Sequence, residues 1–259
     1  MHIALHTADK IYAPRHIPSW LALACAAGSV NGFAFLSCEE FVSHITGTST
    51  RIGLEWHHLG LAAEYALVLG GFIGGAIASV IWLQARVCRG KRPRWATPLC
   101  AVALILAGVA LAGHTGYFGP FDRQDTGEPP FILLSMLAFA MGLQNAAVAS
   151  TTGLAIRTTH LTGPATDLGI YLGTAFFAGG DERRNALKGA GLRLGKIVAF
   201  VVGAGVAIQL ADRLGYLMLL APAALVSLAV VLSFLPDWSP SIFPFQRQLA
   251  GRPQISQNE

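Results

Sequence analysis

The sequence predicts an all-α, polytopic membrane protein: six transmembrane helices arranged as two inverted three-helix repeats, each with a broken or re-entrant Thr-Gly segment. Three observations carry that expectation. First, of 259 residues, 53% are hydrophobic and only 12% are charged, about half the charged share of an ordinary soluble domain. A chain with so little charge cannot coat itself for water, and its remaining contact must be lipid. Second, several apolar runs have the length of a bilayer crossing. Third, the polar string SHITG at residues 43–47 returns as THLTG at 159–163.

Crossing the hydrocarbon layer takes about 20 mainly apolar residues. Such runs lie at residues 20–37, 59–83, 96–113, 131–151, 197–211 (extended backward by 191–195) and 214–235. They are rich in glycine and alanine and show no alternation, so they read as helices and not as barrel strands. Lys10 and Arg15 before WLALACAAG resemble a secretory signal. The apolar stretch continues to Ser37 behind a long polar leader, so the first span is expected to be retained.

Lysine and arginine resist translocation and set orientation. Fifteen of them fall in the two tails and in the connections after spans two and four. Only Arg51, Arg123 and Arg213 fall in the other connections. The alternation has no exception and places both termini in the cytoplasm. The net charge of +4 then reflects loops facing an anionic leaflet, and no nucleic-acid partner is expected. Cys25, Cys38, Cys88 and Cys100 make no CxxC spacing, so no metal or redox pair is expected.

Histidine, threonine and glycine coincide when 43–47 is laid on 159–163, and Thr50, Ile52 and Gly53 then meet Thr166, Leu168 and Gly169. With a two-residue gap, Asn31 meets Asn145. Each string follows one span and precedes two more. The chain therefore divides into a cytoplasmic tail (1–18), repeat one (19–118), an external linker (119–130), repeat two (131–236) and a second cytoplasmic tail (237–259). Three spans per repeat is an odd number, so the second half enters the bilayer inverted, a plan that places solute sites where the halves meet.

The residue before Pro164 avoids helical geometry, which predicts Gly163 as a cap and Pro164 as the first helical residue. Thr166 and Asp167 would then lie in the first turn, where a carboxylate suits the helix dipole. The following LGIYLGTAFFAGG is too short to cross a bilayer. A short helix starting at such a break offers backbone donors to a solute. Candidate binding residues are Thr46, Gly47, Thr48, Thr162, Gly163 and Thr166 for hydroxyls and backbone donors. His44, His160 and Arg157 add donors or charge, and Asn31, Gln144 and Asn145 add amides. Thr158 and Asp167 complete the set. Arg157 and Asp167, costly in lipid, should face protein or water.

GGFIGGAI at 70–77 overlaps two small-residue pairs, Gly70/Gly74 and Gly71/Gly75, suited to helix packing within the chain or across a homodimer. Glu64 is the most isolated acid of the apolar runs and reads as an interfacial group. His57, His58 and His114, with Glu39 and Glu40, lie on the external side without metal-ligand spacing. No Walker loop, GxSxG or HExxH appears, so neither a cofactor nor an enzyme activity is expected.

FVSHITGTSTRIG (41–53) and AMGLQNAAVASTTGLAIRTTHLTGPATDLG (140–169) resemble the two signatures of the YoaK family, also called domain of unknown function 1275. The resemblance covers nearly all the spans and implies a bacterial inner-membrane protein without an assigned substrate. Members usually carry Asp where Asn31 stands and Asn where Thr48 stands, so a proton or cation role for that Asp does not carry over. The pattern as a whole points to a secondary transporter of a small polar or anionic solute. The alternatives are a channel or dimeric pore, or a membrane partner protein that transports nothing.

Overall fold

The computed structural model describes residues 16–91, 94, 96–121, 130–152 and 156–234. The ends of both tails, most of the linker after the third span and several orientation-setting arginines lie outside them. Eight α-helices follow in order: α1 (Ile17–Cys38), α2 (Ile45–Leu54), α3 (Leu59–Cys88), α4 (Ala96–His114), α5 (Phe131–Thr151), α6 (Thr162–Phe177), α7 (Gly180–Leu214) and α8 (Leu220–Phe234). A 3-10 turn, Gly215–Leu219, joins α7 to α8. Among the described residues there is no strand.

Among the described residues five helical stretches are long and apolar enough to cross a membrane: α1, α3, α4, most of α5, and the run Gly180–Ser233. That last run contains both of the final apolar segments. Its boundaries differ from expectation. DERRNALK, which falls in the connection expected after span four, is the start of α7, which spans 35 residues. No proline interrupts this stretch, and Asp181 and Glu182 in its first turn suit the positive end of the helix dipole. At 1.5 Å per residue α7 measures roughly 50 Å, well beyond a hydrocarbon core of about 30 Å. The expected continuous helix over 214–235 is broken at its start, because Gly215 adopts φ +53° and ends α7. Only after the 3-10 turn does α8 begin, with Pro222 inside its first turn, where a missing N–H is harmless.

The short helix α6 also starts earlier than expected. Its first residue is Thr162 and its N-cap is Leu161, so Gly163 is not the cap and Pro164 sits within the first turn. Proline is tolerated there because those N–H groups lack intrahelical partners in any case. Asp167 and Thr166 consequently fall beyond the first turn, which contains no acidic residue.

α1 and α5 form the centre. In each, 67% of the apolar window is buried, against 22% in α3. Exposed Ile81, Leu104 and Val201 mark peripheral faces that only lipid or another apolar surface would cover. The contacts are reciprocal: α1 packs on α7 and α8, α5 packs on α3 and α4, and α4 meets α8. Each short helix lies on the long helix after it, α2 on α3 and α6 on α7.

Glycines permit the two main crossings. A Cβ at Gly28 would overlap the carbonyl oxygen of Phe200, and one at Gly203 would overlap that of Cys25. At the other crossing a Cβ at Gly142 would overlap the carbonyl of Phe72, and one at Gly75 that of Phe139. In every case the glycine stands three residues past the carbonyl its partner glycine faces. Of the small-residue pairs noted in α3, Gly71 and Gly75 face α5, at Ser135 and Phe139. Gly74 merely brushes the Phe139 ring and Gly70 has open space around it.

Candidate functional site

Beneath the crossings, the α1–α2 connection and the loop before α6 come together. Asn31 organises the first of these. Its Oδ1 accepts from the backbone N–H groups of Val42 and Ser43, both at 3.1 Å, and its Nδ2 donates to Ser43 Oγ at 2.5 Å and to Ala27 O at 3.3 Å. Buried backbone donors demand a partner, and this one side chain satisfies two. Ser43 Oγ in turn donates to Thr159 O at 3.2 Å, tying one half of the chain to the other.

The second half is arranged differently. Asn145 Oδ1 is buried without a hydrogen-bond partner among the described residues, as are Thr159 Oγ1 and Gln144 Oε1. Gln144 is fully buried, and its Nε2 donates to Leu23 O and Thr158 Oγ1, both at 3.0 Å. That makes Gln144 and Thr158 a brace between α5 and α1.

A cavity of about 700 Å³ occupies the junction. Asn31, His44, Thr46, Asn145, Arg157, His160 and Thr162 line it, so seven of the residues singled out in the sequence meet there. Thr46 and Thr162 are both exposed, while Thr166 lies outside, its hydroxyl donating to Thr162 O. The rest of the set flanks the cavity. Gly47 and Thr48 border a pocket of about 250 Å³ with Glu40 and Arg51, which form an ion pair at 3.2 Å. Gly163 and Asp167 border a pocket of about 180 Å³ that also holds Arg157, His160, Arg193 and Lys196. There Asp167 pairs with Arg193 at 3.4 Å, and Lys196 Nζ donates to Arg157 O.

His160 stands between the two pockets. Its Nε2 accepts from the Gly163 N–H at 3.1 Å and so caps α6. Accepting that bond requires the neutral ring. Burial pushes the imidazole below its ordinary range, and the positive charges of Arg157 and Lys196 push it further the same way. Because the folded state holds this histidine below its unfolded pKa, its contribution to stability is complete above the ordinary imidazole value of 6.5. It is lost as pH falls through the depressed value. Thermal unfolding in detergent should therefore drop on acidification, and His160→Gln should flatten that slope. Equal slopes in the two proteins would show that the cap is not what titrates.

The cavity also contains residues that motif reading missed. Ser43 and Thr159 are the first letters of the two repeated strings and were available from that match. Phe35, Phe41, Phe72 and Phe200 make most of the apolar wall and carried no signal beyond hydrophobicity. Arg193 and Lys196 read as topological charges, yet they are only 9% and 3% exposed.

Residues 19–232, which include the entire site, match the family described as "Protein of unknown function (DUF1275)". The chain belongs to the DUF1275 family. No curated protein and no solved structure matches it. The family description names no reaction, and the membrane class comes from the apolar helices, so what this DUF1275 member does is argued from the cavity.

Proposed function

We propose that this DUF1275 protein is a secondary transporter of a small polar or anionic solute. In this reading it crosses a bacterial inner membrane six times with both termini in the cytoplasm. α1, α3 and α4 form one repeat and α5, α7 and α8 its inverted counterpart, with α2 and α6 as the short broken segments. The observation that carries the reading is the make-up of the cavity wall. Equivalent residues enter it from both halves: Asn31 with Asn145, Ser43 with Thr159, His44 with His160, Thr46 with Thr162, and Phe72 with Phe200. A site at the junction of two inverted repeats is what alternating access requires, and the volume suits a small organic molecule.

The halves differ in state. Asn31 holds its loop closed through two backbone bonds, whereas Asn145 Oδ1 has no partner among the described residues. The wall extends to Leu36, Ala204 and Ile208 at the α1–α7 crossing, while their counterparts at the α3–α5 crossing do not line it. With cytoplasmic tails this mouth faces outward. Exchange of the two conformations, with Asn145 capping Thr158 and Thr159 and Asn31 released, would open the cavity inward.

Proteoliposome uptake of a metabolite panel tests the reading. A solute should accumulate against counterflow, and Thr46→Val and Thr162→Val should each abolish uptake with unfolding temperature unchanged. Fluxes that survive both substitutions would remove the threonines from the site. Current without counterflow would replace the transporter with a channel.

A further inference from the structure

The two pockets flanking the cavity occupy matching places in the two halves, and their charges do not match. His44, Gly47 and Arg51 on one side correspond to His160, Gly163 and Asp167 on the other. In that register Phe41 stands where Arg157 does; in the longer register set by the crossing glycines Gly75 and Gly203, Tyr65 stands where Arg193 does and Val68 where Lys196 does. Tyr65 and Val68 are buried and pack well without charge. The architecture therefore does not need cations at these positions, yet the second half carries three.

Among the described residues of the pocket the cations outnumber the carboxylates. Asp167 is the one carboxylate among them and is engaged by Arg193, which also lies over the Tyr171 ring at 5.2 Å. Lys196, 97% buried by its 3% exposure, has a backbone carbonyl as its hydrogen-bond acceptor. Burying an ammonium beside a carboxylate that another cation already engages is costly, and ordinary orientation-setting lysines avoid that cost by staying in water. Arg157 belongs to both the basic pocket and the large cavity, so the charge borders a chamber that Phe41, Phe72 and Phe200 also line.

We propose that Arg157, Arg193 and Lys196 form a head-group subsite for an organic anion whose apolar, ring-sized body lies among the phenylalanines of the main cavity. The proposal rests on the solute-site reading above and gives that solute a chemical class: a carboxylate or phosphate on an aromatic or alicyclic frame. The Phe41/Arg157 mismatch then orients it, charged end toward the loop before α6 and apolar end toward Phe41.

The test uses the full chain in phosphatidylcholine nanodiscs, with calorimetric titration of naphthoate against its neutral counterpart naphthamide. Naphthoate should bind at least about tenfold more tightly. Lys196→Gln and Arg157→Gln should each erase that preference while leaving naphthamide affinity in place, and Lys196→Arg should retain it. Arg157 is exposed, so its variant remains informative if Lys196→Gln fails to fold. Absence of naphthoate binding, equal affinity for the two probes, or a preference that survives both glutamine variants overturns the subsite. A further arm adds phosphatidylglycerol: loss of naphthoate affinity in the wild type alone would assign the pocket to a lipid headgroup and overturn the soluble solute. Binding is read without flux, so a preserved charge preference with no uptake would defeat the transporter reading and leave the subsite standing.

Discussion

Leucine in place of Gly75, or of Gly203, is expected to drive the central helices apart. Each glycine faces a backbone carbonyl of the crossing helix with no space for a Cβ, and backbone cannot swing aside as a side chain can. Overpacking a filled contact costs about 1–3 kcal/mol, and four added carbons against a rigid carbonyl belong at or above the upper end. Thermal unfolding in detergent should fall sharply for both variants. Gly70→Leu, on the same helix but in open space, should leave the midpoint nearly unchanged. If Gly70 and Gly75 variants behaved alike, the α3–α5 crossing described above would be wrong.

Asn31→Leu is expected to have the second large effect, and its counterpart Asn145→Leu almost none. Removing Asn31 leaves the Val42 and Ser43 N–H groups without their acceptor, and each buried orphan costs about 1–3 kcal/mol. Asn145 accepts no such bond, so leucine there removes an unsatisfied acceptor and should hold or raise the unfolding temperature. Asn31→Asp keeps both backbone bonds while giving up the donations to Ala27 and Ser43, and it should fall between. Uptake is a separate readout: on the transporter reading proposed above, both leucine variants should lose it, because each half would need its amide in one of two states. Equal stability losses at the two positions would contradict the difference between the halves.

Much of the helix inventory could be read along the chain. Apolar runs with few charges become helices wherever backbone polar groups lack water, and α1, α3, α4 and α5 lie close to those runs. The misreadings have local causes. DERRNALK reads as part of a connection because it is charged, but charge does not end a helix, and nothing in that stretch removes an N–H or demands a positive φ. The last segment looked continuous because it is apolar, and Gly215 interrupts it through conformation, which hydropathy cannot register. Pro164 was taken as a boundary, although a first turn accommodates it with His160 satisfying the neighbouring N–H.

The site was legible in its polar letters and not in its walls. The repeated strings led to His44, Thr46, His160 and Thr162, all in the cavity. The same reasoning included Gln144 and Thr158, which are buried in a brace, because a sequence does not say on which side of a helix an amide lands. It passed over Arg193 and Lys196, since a cation in a basic segment looks the same whether it ends in water or beside a closed pocket.

By itself, then, the sequence determined a helical membrane class and two matching polar strings, both being properties of contiguous residues. Only the tertiary structure decided which faces meet. Gly70/Gly74 and Gly71/Gly75 have identical spacing, but successive residues on a helix point about 100° apart, and the crossing with α5 selects the second pair. That choice of crossing brings Ser43 to Thr159 and Arg157 to Lys196. Separations of 116 and 39 residues in the chain close to hydrogen-bonded distances in space through helices that no local pattern orders.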